Sequence, residues 1–337
     1  MSRMCRLEDK IYGCLLGGLI GDAMGAPGEG KTYAQIQERF GPEGIVDFEG
    51  VGTDDTAIRE QLIDAILKAH QAGRDVTCDD FAQSFLDHKA RNYRLWYVPV
   101  KNAFHKYEAG LRLPAYAGWD NMQSSSTAMS LSPLGIINAC DPRRAVLETL
   151  DVASFIHHGA SGFCRDAACA MAAAVAAAFA PDASVERILD AATAFLLPQS
   201  ARELRGRIEE SLALARETGS YEAFRAAYYA RHLYPTASDS RETVPATLAL
   251  FWLAGGDPER AIRYGANFGR DADTIGTMVG GLCGAFRGAT ALPRRWVEQV
   301  EANPQVPYRD LTAQLAAIVR ERAARARHHA ALVAQLG

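Results

Sequence analysis

The chain has no CxxC pair and no His/Cys set at zinc spacing. Its seven cysteines, an odd number, are scattered at 5, 14, 78, 140, 164, 169 and 283. That pattern argues against a disulfide framework and a zinc knuckle, and it fits a reducing cytoplasm. Neither of the two most apolar stretches reaches the about 18 residues of a membrane span. No Gly/Ser or Pro-rich linker, low-complexity spacer or long charge block marks a boundary, so residues 1–337 read as a single large domain. Excess charge is missing too. A net charge of −4 and a pI near 6.1 give no electrostatic reason for a nucleic-acid or anionic-membrane partner. Strand signals are nearly absent, which leaves an all-α fold of a dozen or so helices.

The N-terminus has Arg3 and Arg6 before an apolar run, as a secretory signal does. Glu8, Asp9 and Lys10 interrupt that pattern, so residues 8–25 read as a retained first core helix. Within it Gly13, Gly17, Gly21 and Gly25 are spaced by four. A second stretch, residues 265–288, repeats the device with Gly276, Gly280, Gly284 and Gly288. Glycines four apart share one helix face. Each costs a helix about 1 kcal/mol against alanine, and the usual compensation is very close backbone packing. The two faces are natural mates. Antiparallel packing would bring Asp22 and Glu29 towards Asp271 and Asp273.

A second amphipathic piece covers 33–40. Residues 41–53 are turn-rich, with one short extended segment expected around Ile45 to Phe48. A helix starts at Thr53, where the threonine fits an N-cap and Asp54 and Asp55 fall in the first turn. Residues 79–109 read as helical and aromatic-rich, with most aromatics in the core. Residues 110–126 carry loop chemistry, suited to a site or to plain surface. Helices follow from 127 to 180, with Pro142 at a helix start, and two or three more lie in 184–232. A last helix, 309–335, carries Arg320, Arg322, Arg325, Arg327, His328 and His329, a basic face read as solvated surface or an oligomer contact. No oligomeric state is assigned.

The chemistry lies in Thr53-Asp54-Asp55 and Asp271-Ala272-Asp273-Thr274. Ordinary capping accounts for the first cluster on its own. Together the two offer four carboxylates and two hydroxyls, hard oxygen donors that suit Mg²⁺ or Mn²⁺. Four gathered carboxylates repel one another without a cation. Two divalent ions would neutralise them and activate water or clamp substrate oxygens. Chemistry alone gives a metal-dependent hydrolase. It leaves open a glycosidic, phosphoryl or amide bond.

The sequence resembles the ADP-ribosylglycohydrolase family, which includes the dinitrogenase-reductase-activating glycohydrolase, over about residues 8–295. The resemblance rests on GCLLGGLIGDAMGAPGE at 13–29, GTDDT at 52–56, STAMSLSPLG at 126–135, IHHGASGFCRDA at 156–167, TVPATLALF at 243–251 and NFGRDADTIGTMVGGLCGAFRG at 267–288. It implies a single orthogonal multi-helix bundle with two Mg²⁺ or Mn²⁺ at the base of a cleft. Thr53, Asp54, Asp55, Asp271, Asp273 and Thr274 correspond to metal ligands, with Asp54, Asp55 and Glu29 as the catalytic set. Glu29 also lies at the substrate and would position or deprotonate the attacking water. His158 corresponds to the histidine of a Thr-His element near the substrate, and His157 takes the threonine position. The implied reaction is hydrolysis of the C1″ glycosidic bond of an ADP-ribosyl group, such as ADP-ribosyl-arginine, with the 2″ and 3″ hydroxyls towards the metals.

Two departures concern substrate contacts. Ser124-Ser125-Ser126-Thr127 replaces a common Asn-Gly or Ser-Gly pair, and Gly269-Arg270-Asp271-Ala272-Asp273 stands where Gly-Gly-Asp-Thr-Asp is common. They motivate an alternative, N-glycosidase action on a small ribosyl or nucleoside-like metabolite. Two further alternatives are a non-catalytic ADP-ribose-binding homologue and a metal phosphohydrolase. Retention of all six candidate ligands and Glu29 argues against the non-catalytic one.

Overall fold

The computed structural model describes residues 6–111 and 113–336; Arg3, Cys5 and Arg112 lie outside them. The described residues form sixteen α-helices and five short 3-10 turns. They contain no strand, only two isolated bridges, Thr32 with Gly269 and Trp119 with His158. The fold is all-α, as expected, with more helices than the dozen read from the sequence. One reason is that 79–109 is two helices, Cys78–Asn92 and Val98–Glu108, with Pro99 in the first turn of the second. There the missing proline N–H costs nothing. Residues 184–232 hold three helices.

Two helices form the centre. Arg6–Gly25 is buried from Lys10 onward, and Ala272–Arg287 is buried as far as Ala285. Helices apolar on every side belong inside a large core. Their glycine faces meet antiparallel. A Cβ built on Gly13 would come within 2.6 Å of the Gly284 carbonyl oxygen, and Cβ atoms on Gly17 and Gly21 would overlap the carbonyls of Gly280 and Gly276. The fourth pair differs from the sequence reading. Ala272 faces Gly25, while Gly288 ends its helix with a left-handed φ of +87°.

Other helices wrap this pair. Arg59, on the Asp54–Gln71 helix, is 1% exposed and fills the space over Gly18. It donates to the Leu15 carbonyl and, at 3.0 Å, to the Tyr308 hydroxyl, which ties in the Tyr308–Ala334 helix.

The segment around Ile45–Phe48 is irregular, not a strand. Asn267 supplies the pairing that a neighbouring strand would give: Oδ1 accepts from the Ile45 N–H at 2.7 Å, and Nδ2 donates to the Ile45 carbonyl at 2.8 Å. The basic face of the last helix is also not uniform. Arg322 is 6% exposed and paired with Asp75 at 3.0 Å and Glu148 at 2.8 Å. Its charge is a core strut, contrary to the surface reading, because two acidic residues converge on it, Glu148 from the Pro142–Val152 helix and Asp75 from the connection after the Asp54–Gln71 helix. No described helix is long and apolar enough to cross a membrane.

Candidate metal centre

The antiparallel glycine crossing sets the end of one central helix against the start of the other. A Cβ on Gly25 would come within 2.5 Å of the Asp273 backbone. Beyond Gly25 the chain makes the Ala26–Gly28 turn and presents Glu29 at the surface. Reciprocal backbone bonds hold that turn in place. Gly30 N–H donates to the Arg270 carbonyl, and Arg270 N–H to the Lys31 carbonyl, both at 2.7 Å. Glu29 is therefore pinned beside Asp271.

Thr53 caps the helix Asp54–Gln71, its hydroxyl accepting from Asp55 N–H. The cap is aimed by Asp22, a fully buried carboxylate on the first helix. Asp22 accepts from Thr53 N–H at 2.9 Å, Thr56 N–H at 3.0 Å and the Thr56 hydroxyl at 2.6 Å. Burial pushes the Asp22 carboxyl up, and the donors of Thr56 and Thr53 oppose that. Gly52 lets the loop come this close. Its φ is +88°, and a Cβ there would lie 2.5 Å from Asp22 Oδ2.

All six sequence-derived candidate ligands and Glu29 line one cleft of about 470 Å³. Carboxylate oxygens of Glu29, Asp271 and Asp273 lie within 4.8 Å of one another. Thr53 Oγ1 is 3.5 Å from both Asp55 Oδ2 and Asp273 Oδ2, and Thr274 Oγ1 is 3.4 Å from Asp55 Oδ2. Burial and the Asp22 charge push Asp54 up to about 7. Burial, Glu29 and Asp54 do the same to Asp271. Asp55 and Asp273 are held well above the usual carboxylate range by burial first, then by Asp22 and by Asp271 respectively.

Asp55 Oδ1, Asp271 Oδ2 and Asp273 Oδ1 are buried without a hydrogen-bond partner. Buried polar atoms are normally satisfied. A crowd of oxygen donors with unspent lone pairs and mutually raised pKa values fits hard divalent cations.

His158 is not among the residues lining the cleft. It stacks on Trp119 with ring centroids 5.1 Å apart, and its Nδ1 accepts from Gly159 N–H at 2.8 Å. The neighbouring His157 is fully buried behind the serine segment, and Ser125 and Ser126 reach the cleft wall. Arg270 also lines the cleft, on backbone with φ +64°. Two bonds, at 2.8 and 3.0 Å, hold it to the fully buried Glu242. Nothing in the sequence flagged Glu242 or the grip of Asp22, since both act on partners distant in the chain. Most aromatics of 79–109 lie in the core, as expected, among them Phe81, Phe85, Trp96 and Phe104; Tyr97 is 38% exposed and, like the buried Trp96, lines the cleft.

The family model for ADP-ribosylglycohydrolase matches residues 4–329. The chain belongs to the ADP-ribosylglycohydrolase family. An uncharacterized protein of Escherichia coli K12, YegU, is 28% identical over 94% of this chain and 99% of its own length. The human ADP-ribosylhydrolase ARH3 is 25% identical over 92% of this chain and 93% of its own. A solved structure described as an ADP-ribosylglycohydrolase-related protein complex superposes with a TM-score of 0.70 at 25% identity, covering 93% of this chain and 99% of the other. The fold is thus that of the ADP-ribosylglycohydrolases, and the chain is a member of a hydrolase family with an acidic cluster in its cleft.

Proposed function

We propose that this ADP-ribosylglycohydrolase cleaves the C1″ glycosidic bond of an ADP-ribosyl group, such as one carried on arginine, with two Mg²⁺ or Mn²⁺ ions. The observation that carries the reading is the convergence of two acidic clusters, 218 or so residues apart in sequence, on one cleft with three orphaned carboxylate oxygens. Thr53, Asp54, Asp55, Asp271, Asp273 and Thr274 would hold the ions. Bound there, divalent cations would neutralise the carboxylates and polarise the oxygens placed against them.

The chain's own residues divide the remaining work. Glu29 is exposed at the rim, within 4.8 Å of the Asp271 and Asp273 oxygens, where it can hold a water and take its proton. The water oxygen bonds to C1″, the bond from C1″ to the aglycone breaks, and the proton leaves with the aglycone. Asp54 and Asp55 orient from the wall formed by the start of the Asp54–Gln71 helix. Asp22 acts through Thr53 and Thr56, keeping that wall in register. The six described cysteines are all free, which supports a cytoplasmic setting.

One observation favours a smaller ribosyl substrate as a second reading. The Ser125 hydroxyl is engaged internally, 2.9 Å from the Ser238 carbonyl and 2.5 Å from Thr243 Oγ1. It is less free to serve a diphosphate than an open Asn-Gly turn would be. Calorimetric titration of ADP-ribose with Mg²⁺, and again with EDTA, separates the two. Metal-dependent binding in the micromolar range supports the ADP-ribosyl reading. No binding, with two metals per chain by elemental analysis, moves the proposal to nucleoside-like ribosides. Absence of metal in a chain exposed to Mg²⁺ and Mn²⁺ overturns both.

A further inference from the structure

A second cavity, of about 310 Å³, lies apart from the cleft and shares no lining residue with it. Two helices supply most of its polar wall, Tyr221–Arg231 and Pro258–Ala266. Each offers a tyrosine and an arginine four residues apart, Tyr221 with Arg225 and Arg260 with Tyr264. That spacing sets both side chains on one helix face. The two tyrosine rings stack, with planes 5° apart and centroids 4.2 Å apart, and so join the helices. Arg263 adds a third guanidinium to the lining.

These arginines are held without carboxylates. Arg225 is 6% exposed. Its guanidinium carbon lies 4.3 Å from the Tyr33 ring centre and 4.7 Å from that of Tyr221. Nη1 donates to the Asn267 carbonyl at 2.8 Å and to the Tyr221 hydroxyl at 3.2 Å. Nε is buried without a partner, and Nη2 bonds to no described residue. Arg260 Nη2 lies 3.3 Å from the Tyr264 hydroxyl. The Arg263 side chain bonds to no described residue. Glu43 and Glu222 also line the cavity, both exposed, and neither forms an ion pair with the three arginines.

Rings and carbonyls fix the place of a guanidinium and leave its charge uncompensated. A buried charge without a counter-charge is costly. Arg322, the buried strut, shows the other solution, with Asp75 and Glu148 against it. Around this cavity the missing counter-charge can come from a ligand. Guanidinium forks suit carboxylate and phosphate oxygens alike. A carboxylate has two oxygens, enough for one fork. A phosphate monoester presents three acceptor oxygens and close to two negative charges, which matches three forks. The cavity volume is at the lower end for small-molecule sites.

We propose that Arg225, Arg260 and Arg263 form a binding site for the phosphate group of a small phosphate monoester. The site is separate from the acidic cleft, and the proposal stands whichever glycoside the cleft takes.

The test uses the full chain, stripped of metal with EDTA and dialysed. Without metal the carboxylates of the cleft repel anions, so anion binding reports the arginine cavity. Glycerol phosphate, inorganic phosphate and acetate are titrated calorimetrically at equal ionic strength, which holds screening constant. One glycerol phosphate should bind per chain, at least as tightly as inorganic phosphate and at least about tenfold more tightly than acetate. Arg260→Gln and Arg263→Gln should each weaken it about tenfold or more, the worth of a charge-assisted hydrogen bond. Arg327→Gln, on the exposed part of the last helix, removes the same charge elsewhere and should change nothing. Thermal melts in phosphate-free buffer check that each variant is folded. Arg263 holds no described residue in place, so Arg263→Gln decides the matter if Arg260→Gln does not fold. No glycerol phosphate binding by wild type, an equal loss in Arg327→Gln, or full binding by Arg263→Gln would overturn the site. Acetate bound as tightly as phosphate would overturn the assignment of the ligand, and inorganic phosphate bound with the ester rejected would overturn the monoester.

Discussion

Gly17 and Gly280 meet face to face at the centre of the molecule, so close that a methyl group on Gly17 would overlap the Gly280 carbonyl oxygen. This contact is what lets the two central helices bring Glu29, Asp271 and Asp273 together. A larger residue cannot be absorbed by a side-chain shift, because the obstacle is backbone. Gly280→Leu is expected to destabilise by about 1–3 kcal/mol or more, through overpacking. Gly206, inside the Arg202–Thr218 helix, has nothing within 4 Å of a built Cβ. Gly206→Ala should instead stabilise by about 0.5–1 kcal/mol. Urea unfolding of both variants measures the contrast, and an unchanged midpoint for Gly280→Leu would remove the close crossing.

Asp273 sits among like charges with one oxygen orphaned. Asp273→Ala should lower turnover by more than about a hundredfold, beyond the usual 10- to 100-fold effect of losing an outer-shell partner of a metal. The sign of its stability effect depends on the metal. In EDTA the variant should melt higher than wild type, because a repelling carboxylate is gone. In Mg²⁺ it should lose the rise in Tm that wild type shows. A wild-type Tm indifferent to Mg²⁺ and Mn²⁺ would contradict the metal assignment.

Asp22 grips both Thr53 and Thr56, so its contribution is to geometry as well as stability. In Asp22→Asn one oxygen becomes an NH₂ group facing backbone N–H donors. The expected cost is about 1–3 kcal/mol of stability and about 10- to 100-fold in metal affinity. Parallel thermal melts and Mg²⁺ titrations would separate the two. A stability loss with metal affinity intact would confine Asp22 to the fold.

Burial lowers the His157 pKa from its ordinary 6.5 to about 3. The unfolded chain takes up a proton below pH 6.5, and the native ring does not until near pH 3. Stability from this residue is therefore full above pH 6.5 and falls as the pH drops through that window, by about 2 kcal/mol at pH 5. His157→Gln should remove this part of the acid sensitivity. Urea unfolding at pH 7 and pH 5 checks it; equal pH slopes in variant and wild type would mean that the native ring titrates normally.

Several of these features are legible in the chain itself. The four-residue glycine period sets the helix pairing, since only glycine permits backbone contact at every turn. Thr53-Asp54-Asp55 and Asp271-Ala272-Asp273-Thr274 mark helix starts and oxygen-donor sets, because capping and ligand chemistry are local properties of residue type. The all-α fold follows from periodicity in the same way. Other features came only with the tertiary structure. Arg322 is a buried strut although it lies on a basic helix face, because Asp75 and Glu148 arrive from elsewhere. Ile45 finds its partner in a side chain 222 residues away, not in a strand. His157, not His158, bonds to the serine segment behind the cleft wall, 30 and 33 residues from its partners Thr127 and Ser124. Local sequence dictates what a residue can do; burial and partners are set by which distant segments pack against it, and that depends on the whole chain.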